Sequence, residues 1–133
     1  MKKSENLIVI SAPNIIESGM LSILESVFFW ASKKTDYQFV FIVNSKKLLT
    51  EQSHSHIEFI EIPASKKNWL NRVFFEYAYF YFVSLKIKPT LWFSLHDITP
   101  NVHAPIRAVY CHNPACFLRT SFKDLFVDWK VFL

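Results

Sequence analysis

Apolar positions fall into two rhythms that alternate along the chain. Leu7 to Ile10 is a short unbroken run, closed by Ser11, Ala12, Pro13 and Asn14, the pattern of a strand buried on both faces. From Ser18 the spacing lengthens. Met20, Leu21, Leu24, Val27, Phe28 and Ala31 recur at helical intervals, with Ser18 as N-cap and Lys33 and Lys34 at the negative end of the dipole, which predicts a first helix to Lys34. Tyr37 to Val43 predicts a second strand and Ile57 to Ile62 a third, where Glu58 and Glu61 suit a position toward the sheet edge. Between them, Ser45 to Glu51 reads as one or two helical turns and Gln52 to His56 as a polar loop.

Asn68 to Lys86 then predicts a long helix with a wide apolar face made by Trp69, Leu70, Val73, Phe74, Tyr77, Phe80, Tyr81 and Leu85, and Pro89 stops it. Leu91 to Ser94 and Arg107 to Tyr110 predict the fourth and fifth strands, each followed at once by a histidine and a turn. Phe122 to Leu133 reads as a further helix whose pattern still runs at the last residue, so a chain cut short is expected. Strands alternating with helices imply right-handed crossovers. The expected fold is a single α/β Rossmann-like domain, a mainly parallel five-stranded sheet with helices on both faces. Ligands of such sheets bind beyond the strand C-terminal ends, where strand order reverses. That rule selects the loops Ser11 to Gly19, Leu95 to Ala104 and Cys111 to Phe117.

Composition narrows the chemistry. With 133 residues, 51% hydrophobic and 17% aromatic, the chain suits one dense core. The one glycine, Gly19, excludes phosphate loops that need two or three. A formal charge of +4 is spread as lysine pairs without a block of like charge, so no nucleic-acid partner is expected. Cys111 and Cys116 signal neither a disulfide framework nor a zinc site. The apolar run Val73 to Leu85 holds Glu76 and is shorter than the ~20 residues that cross a bilayer. We read no targeting segment and expect a cytoplasmic location, at most peripheral to the inner face of the membrane.

Each loop offers a chemical reading beside a plain one. In the first, the residues up to Ser18 and Gly19 open a helix whose free N–H groups suit an anion, and the plain alternative is a tight turn. The second carries His96 and Asp97, either of which can bond a substrate hydroxyl, and the alternative is an Asx-turn around Pro100 with His96 half-buried. In the third, His112 precedes Asn113 and Pro114, so two neighbouring strands would deliver histidines able to move a proton near neutrality. Metal ligation by His96, Asp97 and His112 lacks a recognised spacing, and none is expected. Cys111 reads as core rather than nucleophile.

At these residues the chain resembles the N-terminal domain of the family 4 retaining glycosyltransferases, which have the two-Rossmann-domain GT-B fold. The resemblance spans essentially the whole chain. It is carried by Leu7 to Ile10 with Gly19 opening the first helix, by Pro89 to Asp97, which is similar to the family's proline, strand, histidine and acidic residue, and by Arg107 to Pro114. It implies transfer of a hexose from a nucleotide-sugar donor to a hydroxyl of a glycan or glycolipid acceptor, in cell-surface polysaccharide or lipopolysaccharide synthesis, with no cofactor and no obligatory metal. Carried over, His112 is catalytic beside the transferred sugar, His96, Asp97 and Asn113 line the acceptor side, and Ser18 and Gly19 form the donor phosphate loop. Many members have two glycines where this chain has Ser18 and Gly19. The family's donor-binding C-terminal domain is expected to be missing from this chain, so the fragment alone is expected to be inactive. Lys66, Lys67, Trp69 and Arg72 suit contact with an anionic membrane bearing a lipid-linked acceptor, and equally suit a plain place in the core and its rim. A non-catalytic doubly wound module that binds a nucleotide or a regulatory partner is the alternative.

Overall fold

The computed structural model describes residues 6–16, 19–49, 54–62, 69–96 and 100–112, apart from the side chains of Trp69, Asn71, Arg72 and Glu76. The expected helix over 122–133 lies outside them. Five strands form one sheet: β1 (Leu7–Ala12), β2 (Gln38–Val43), β3 (Ile57–Glu61), β4 (Leu91–Ser94) and β5 (Ile106–Val109). Their order is β3-β2-β1-β4-β5 and every neighbouring pair is parallel. The α/β class expected from the alternation is therefore the one observed. β1 feeds its helix toward β2 while the chain returns from β3 to β4 on the other side, so the order reverses between β1 and β4.

Helices cover both faces because alternate strand residues are apolar in both directions. Helix α1 (Gly19–Ser32) buries Leu24, Phe28 and Ala31 against Ile10, Ala12, Phe39, Phe41 and Val43. This face is aromatic, with the Phe28 and Phe41 rings edge to face at 5.5 Å. His56, placed in a polar loop by its neighbours, is buried, and its Nε2 donates to the Ala31 carbonyl at 3.2 Å. That bond gives the imidazole the partner that burial requires.

The opposite face carries one continuous helical stretch in three pieces, α2 (Trp69–Phe74), a π-helical turn over Phe75–Tyr79, and α3 (Phe80–Ile87). It packs Phe75, Tyr79, Phe80, Val83 and Ile87 on Val9, Val40, Ile42 and Trp92. The packed side differs from the apolar face expected of this helix. Of those residues Phe80 is buried, whereas Leu70, Phe74, Tyr77, Tyr81 and Leu85 are exposed. A helix laid on a sheet can bury only one side, and the wide π turn shifts which residues fall there. At the end of α3, Lys88 takes a left-handed conformation (φ 50°) and its N–H donates to the Ser84 carbonyl at 2.9 Å, before Pro89 prevents continuation.

Smaller corrections concern element ends. β1 runs on to Ala12 rather than stopping at Ile10, because Ser11 and Ala12 still pair with Ile42 and Val43. Of the helical turns expected over 45–51, the described residues form a 3₁₀ turn, Lys46–Leu48, held to β3 by the Lys46 N–H donating to Glu61 Oε1 at 2.7 Å, and residues 50–51 lie outside the described residues. β3 is an edge strand, as its two glutamates imply.

Candidate functional site at the switch point

Strand register defines the site more sharply than any loop does. One row of residues crosses the α2–α3 face of the sheet near its C-terminal rim: Ile60 on β3, Ile42 on β2, Ser11 on β1, Ser94 on β4 and Val109 on β5. The flanking positions are apolar, as a covered parallel sheet requires. The central two are serines. They pair directly across β1 and β4, the strands between which the order reverses. Both have zero relative exposure, and neither Oγ has a hydrogen-bond partner among the described residues. Leaving a buried hydroxyl unsatisfied costs about 1–3 kcal/mol, so this pair is not explained by stability.

His96 continues the column. It follows Ser94 by two residues, beyond the end of β4, and is 5% exposed. Main-chain bonds keep this corner fixed, since the Leu95 N–H donates to the Ser11 carbonyl at 2.9 Å and the Tyr110 N–H to the Ser94 carbonyl at 2.8 Å. Below the serines, Trp92 packs its ring against Phe80 at 5.5 Å between centroids, and its Nε1 has no partner among the described residues. The result is a group of buried polar residues, Ser11, Ser94 and His96, at the C-terminal end of the two switch-point strands above an apolar floor. Such a setting suits recognition of a hydroxyl-rich or amide-bearing ligand.

The other expected site residues fall as follows. Gly19 is the first residue of α1 and is exposed, and a Cβ built there meets no atom within 4 Å. Neither its conformation nor its packing demands glycine. Ser18, Asp97 and Asn113 lie outside the described residues. His112 and Cys111 follow β5 and are exposed. Because β4 and β5 are parallel neighbours, His96 and His112 both rise at the C-terminal rim, one buried and the other open. Cys111 is thus on the surface rather than in the core, since β5 ends at Val109 instead of running through Tyr110. Among the described residues no three of His, Cys, Asp and Glu gather as a metal site would require.

A separate apolar groove of about 460 Å³ lies on the α1 face, lined by Ile10, Val27, Trp30, Phe93 and Tyr110 among others. It offers packing surface but hardly any polar groups, so the serine corner is the better candidate for chemistry. In the sequence Ser11 sits at the mouth of a loop and Ser94 at the end of a strand, with nothing local that joins them. A small polar residue closing each of two buried runs is the signal that could have paired them. The chain matches no family model, no curated protein and no solved structure.

Proposed function

We propose that the chain is the acceptor-side half of a retaining glycosyltransferase, which moves a sugar from a nucleotide-sugar donor to a hydroxyl of a glycan or glycolipid in cell-surface polysaccharide or lipopolysaccharide synthesis. The observation that carries this reading is the buried polar column of Ser11, Ser94 and His96 at the β1–β4 switch point. A sugar acceptor presents hydroxyls that both donate and accept, and buried serine and imidazole groups can match them. His96 bonds the acceptor in this scheme, with Asp97 next to it in sequence and Asn113 next to His112. His112, open at the same rim, faces the transferred sugar and can exchange a proton as the acceptor hydroxyl attacks.

The donor phosphates belong at the start of α1, where Ser18 and Gly19 lie and helix N–H groups are free. Open space over Gly19 supports close approach of a ligand there. A second α/β domain would neutralise the diphosphate leaving group, and catalysis would rest on holding donor and acceptor together across the cleft.

The test is transfer by the whole enzyme from a panel of nucleotide-activated hexoses to acceptors extracted from membranes. His112→Ala is expected to lower turnover about 10²–10³-fold while nucleotide affinity stays within a few-fold. A folded whole protein that binds nucleotide but transfers sugar from no donor overturns the transferase reading in favour of a binding module.

A further inference from the structure

We propose that Ser84 on α3 is a positioning residue: it pins the connection between β4 and β5, and through that connection it sets His96. Its part in sugar transfer rests on the transferase reading, whereas the positioning itself rests on the fold. Residues 95–105 join β4 to β5, and their described part forms neither helix nor strand. A segment without a hydrogen-bond ladder of its own keeps its place through outside partners. At one end the Leu95 N–H donates to the Ser11 carbonyl at 2.9 Å, and His96 follows at once, buried. At the other end Val102 is buried in the cluster that holds Phe80 and Trp92, and the His103 N–H donates to Ser84 Oγ at 2.7 Å. Asn101 adds a longer bond, from Nδ2 to the Tyr77 carbonyl at 3.5 Å, inside the π turn. His96 is thus the first residue of a span, 96–102, that is tied at both ends.

Ser84 suits this task because its hydroxyl proton is already committed. Its Oγ donates to the Tyr81 carbonyl at 2.7 Å, an inward bond of the kind a helical serine makes, so only lone pairs face the connection. What meets them must be a donor, and the His103 N–H is one. Ser84→Ala leaves that N–H without an acceptor against an apolar helix, and the connection must shift toward water to regain a partner. The Ser11 tie holds the far end, so the shift falls on the span between, which begins with His96. A binding group held by packing and by outer bonds tolerates little such movement before affinity falls. Ser84 touches no reacting atom in this scheme and acts through His96.

The test compares Ser84→Ala with Ser84→Thr, which keeps a hydroxyl, in the whole protein. His103→Ala is the control, because the tie uses the main-chain N–H and not the imidazole. In nitrogen–proton NMR spectra the His96 ring signal, identified by its loss in His96→Gln, should move in Ser84→Ala. It should return toward its wild-type place in Ser84→Thr and stay there in His103→Ala. In transfer assays Ser84→Ala should raise the acceptor KM about tenfold, while kcat and the donor KM change by less than about threefold. Asn101→Asp removes the other donor at an exposed position, and should move the same signal and raise the acceptor KM about threefold; it carries the test if Ser84→Ala does not fold. An unmoved His96 signal in the folded variants overturns the proposal, and so does a parallel loss in kcat and in both KM values, which general loosening would give. If the wild type itself transfers no sugar, the transferase reading falls, and the His96 signal still decides whether Ser84 sets that ring.

Discussion

Two places on the same face of the sheet bury serine completely, and they treat its hydroxyl in opposite ways. Where α3 meets the β4–β5 connection, Ser84 Oγ donates to the Tyr81 carbonyl and accepts from the His103 N–H, both at 2.7 Å. That serine ties a loop to a helix, and its burial needs no ligand. At the switch point, Ser11 and Ser94 are as deeply buried but have no partner among the described residues. Valine or alanine would fill their places in a covered parallel sheet at lower cost. Polarity that satisfies itself is architecture, whereas polarity left open beside a topological crevice points to something that enters it.

The largest expected effect concerns the floor shared by both places. Phe80→Ala removes a fully buried ring that packs on Trp92, and should cost about 3–5 kcal/mol in urea unfolding. A loss below about 1 kcal/mol would mean this face is not the packed core that the comparison assumes. Next comes Ser84→Ala, which strands the His103 N–H and should cost about 1–3 kcal/mol. Amide exchange at His103 should quicken in parallel, which distinguishes a lost loop tether from general loosening. A neutral Ser84→Ala would erase the contrast between the two serine environments.

A smaller effect is expected at the start of α1. Gly19→Ala meets no neighbour and requires no unusual backbone angle, so it should stabilise the fold by about 0.4–1 kcal/mol. If the donor phosphates approach this helix end as proposed, nucleotide-sugar binding by the same variant should weaken, because the added methyl group would occupy that space. Unchanged affinity would move the donor away from this helix end.

The fold was largely legible because its signals are local. Each strand shows as an apolar run, and β3 shows its edge position through Glu58 and Glu61. What escaped depends on contacts between distant segments. Ser11 reads as the opening of a loop because Pro13 and Asn14 follow, yet it is held in β1 by Ile42 on one side and Ser94 on the other. His56 reads as a polar loop residue until the carbonyl of Ala31, twenty-five positions away, is seen to accept its N–H hydrogen bond. Helical spacing correctly located the stretch over 69–87, but a chain with aromatics around most of the helix gives no phase. Only the packed sheet and the π turn decide that Phe80 goes in and Phe74 stays out. The candidate site was legible in part for the same reason. His96 and His112 stood out as polar residues following apolar runs, while the serine pair required the cross-strand register.

The most direct test measures stability together with sugar transfer in the double variant Ser11→Ala, Ser94→Ala of the whole protein. If the hydroxyls are held open for an acceptor, urea unfolding should show equal or greater stability, by up to about 1 kcal/mol, together with a loss of sugar transfer of at least about tenfold. Destabilisation beyond about 2 kcal/mol, with activity falling only as folded protein is lost, would show that the two serines serve the fold and would contradict the assignment of this corner as a binding site.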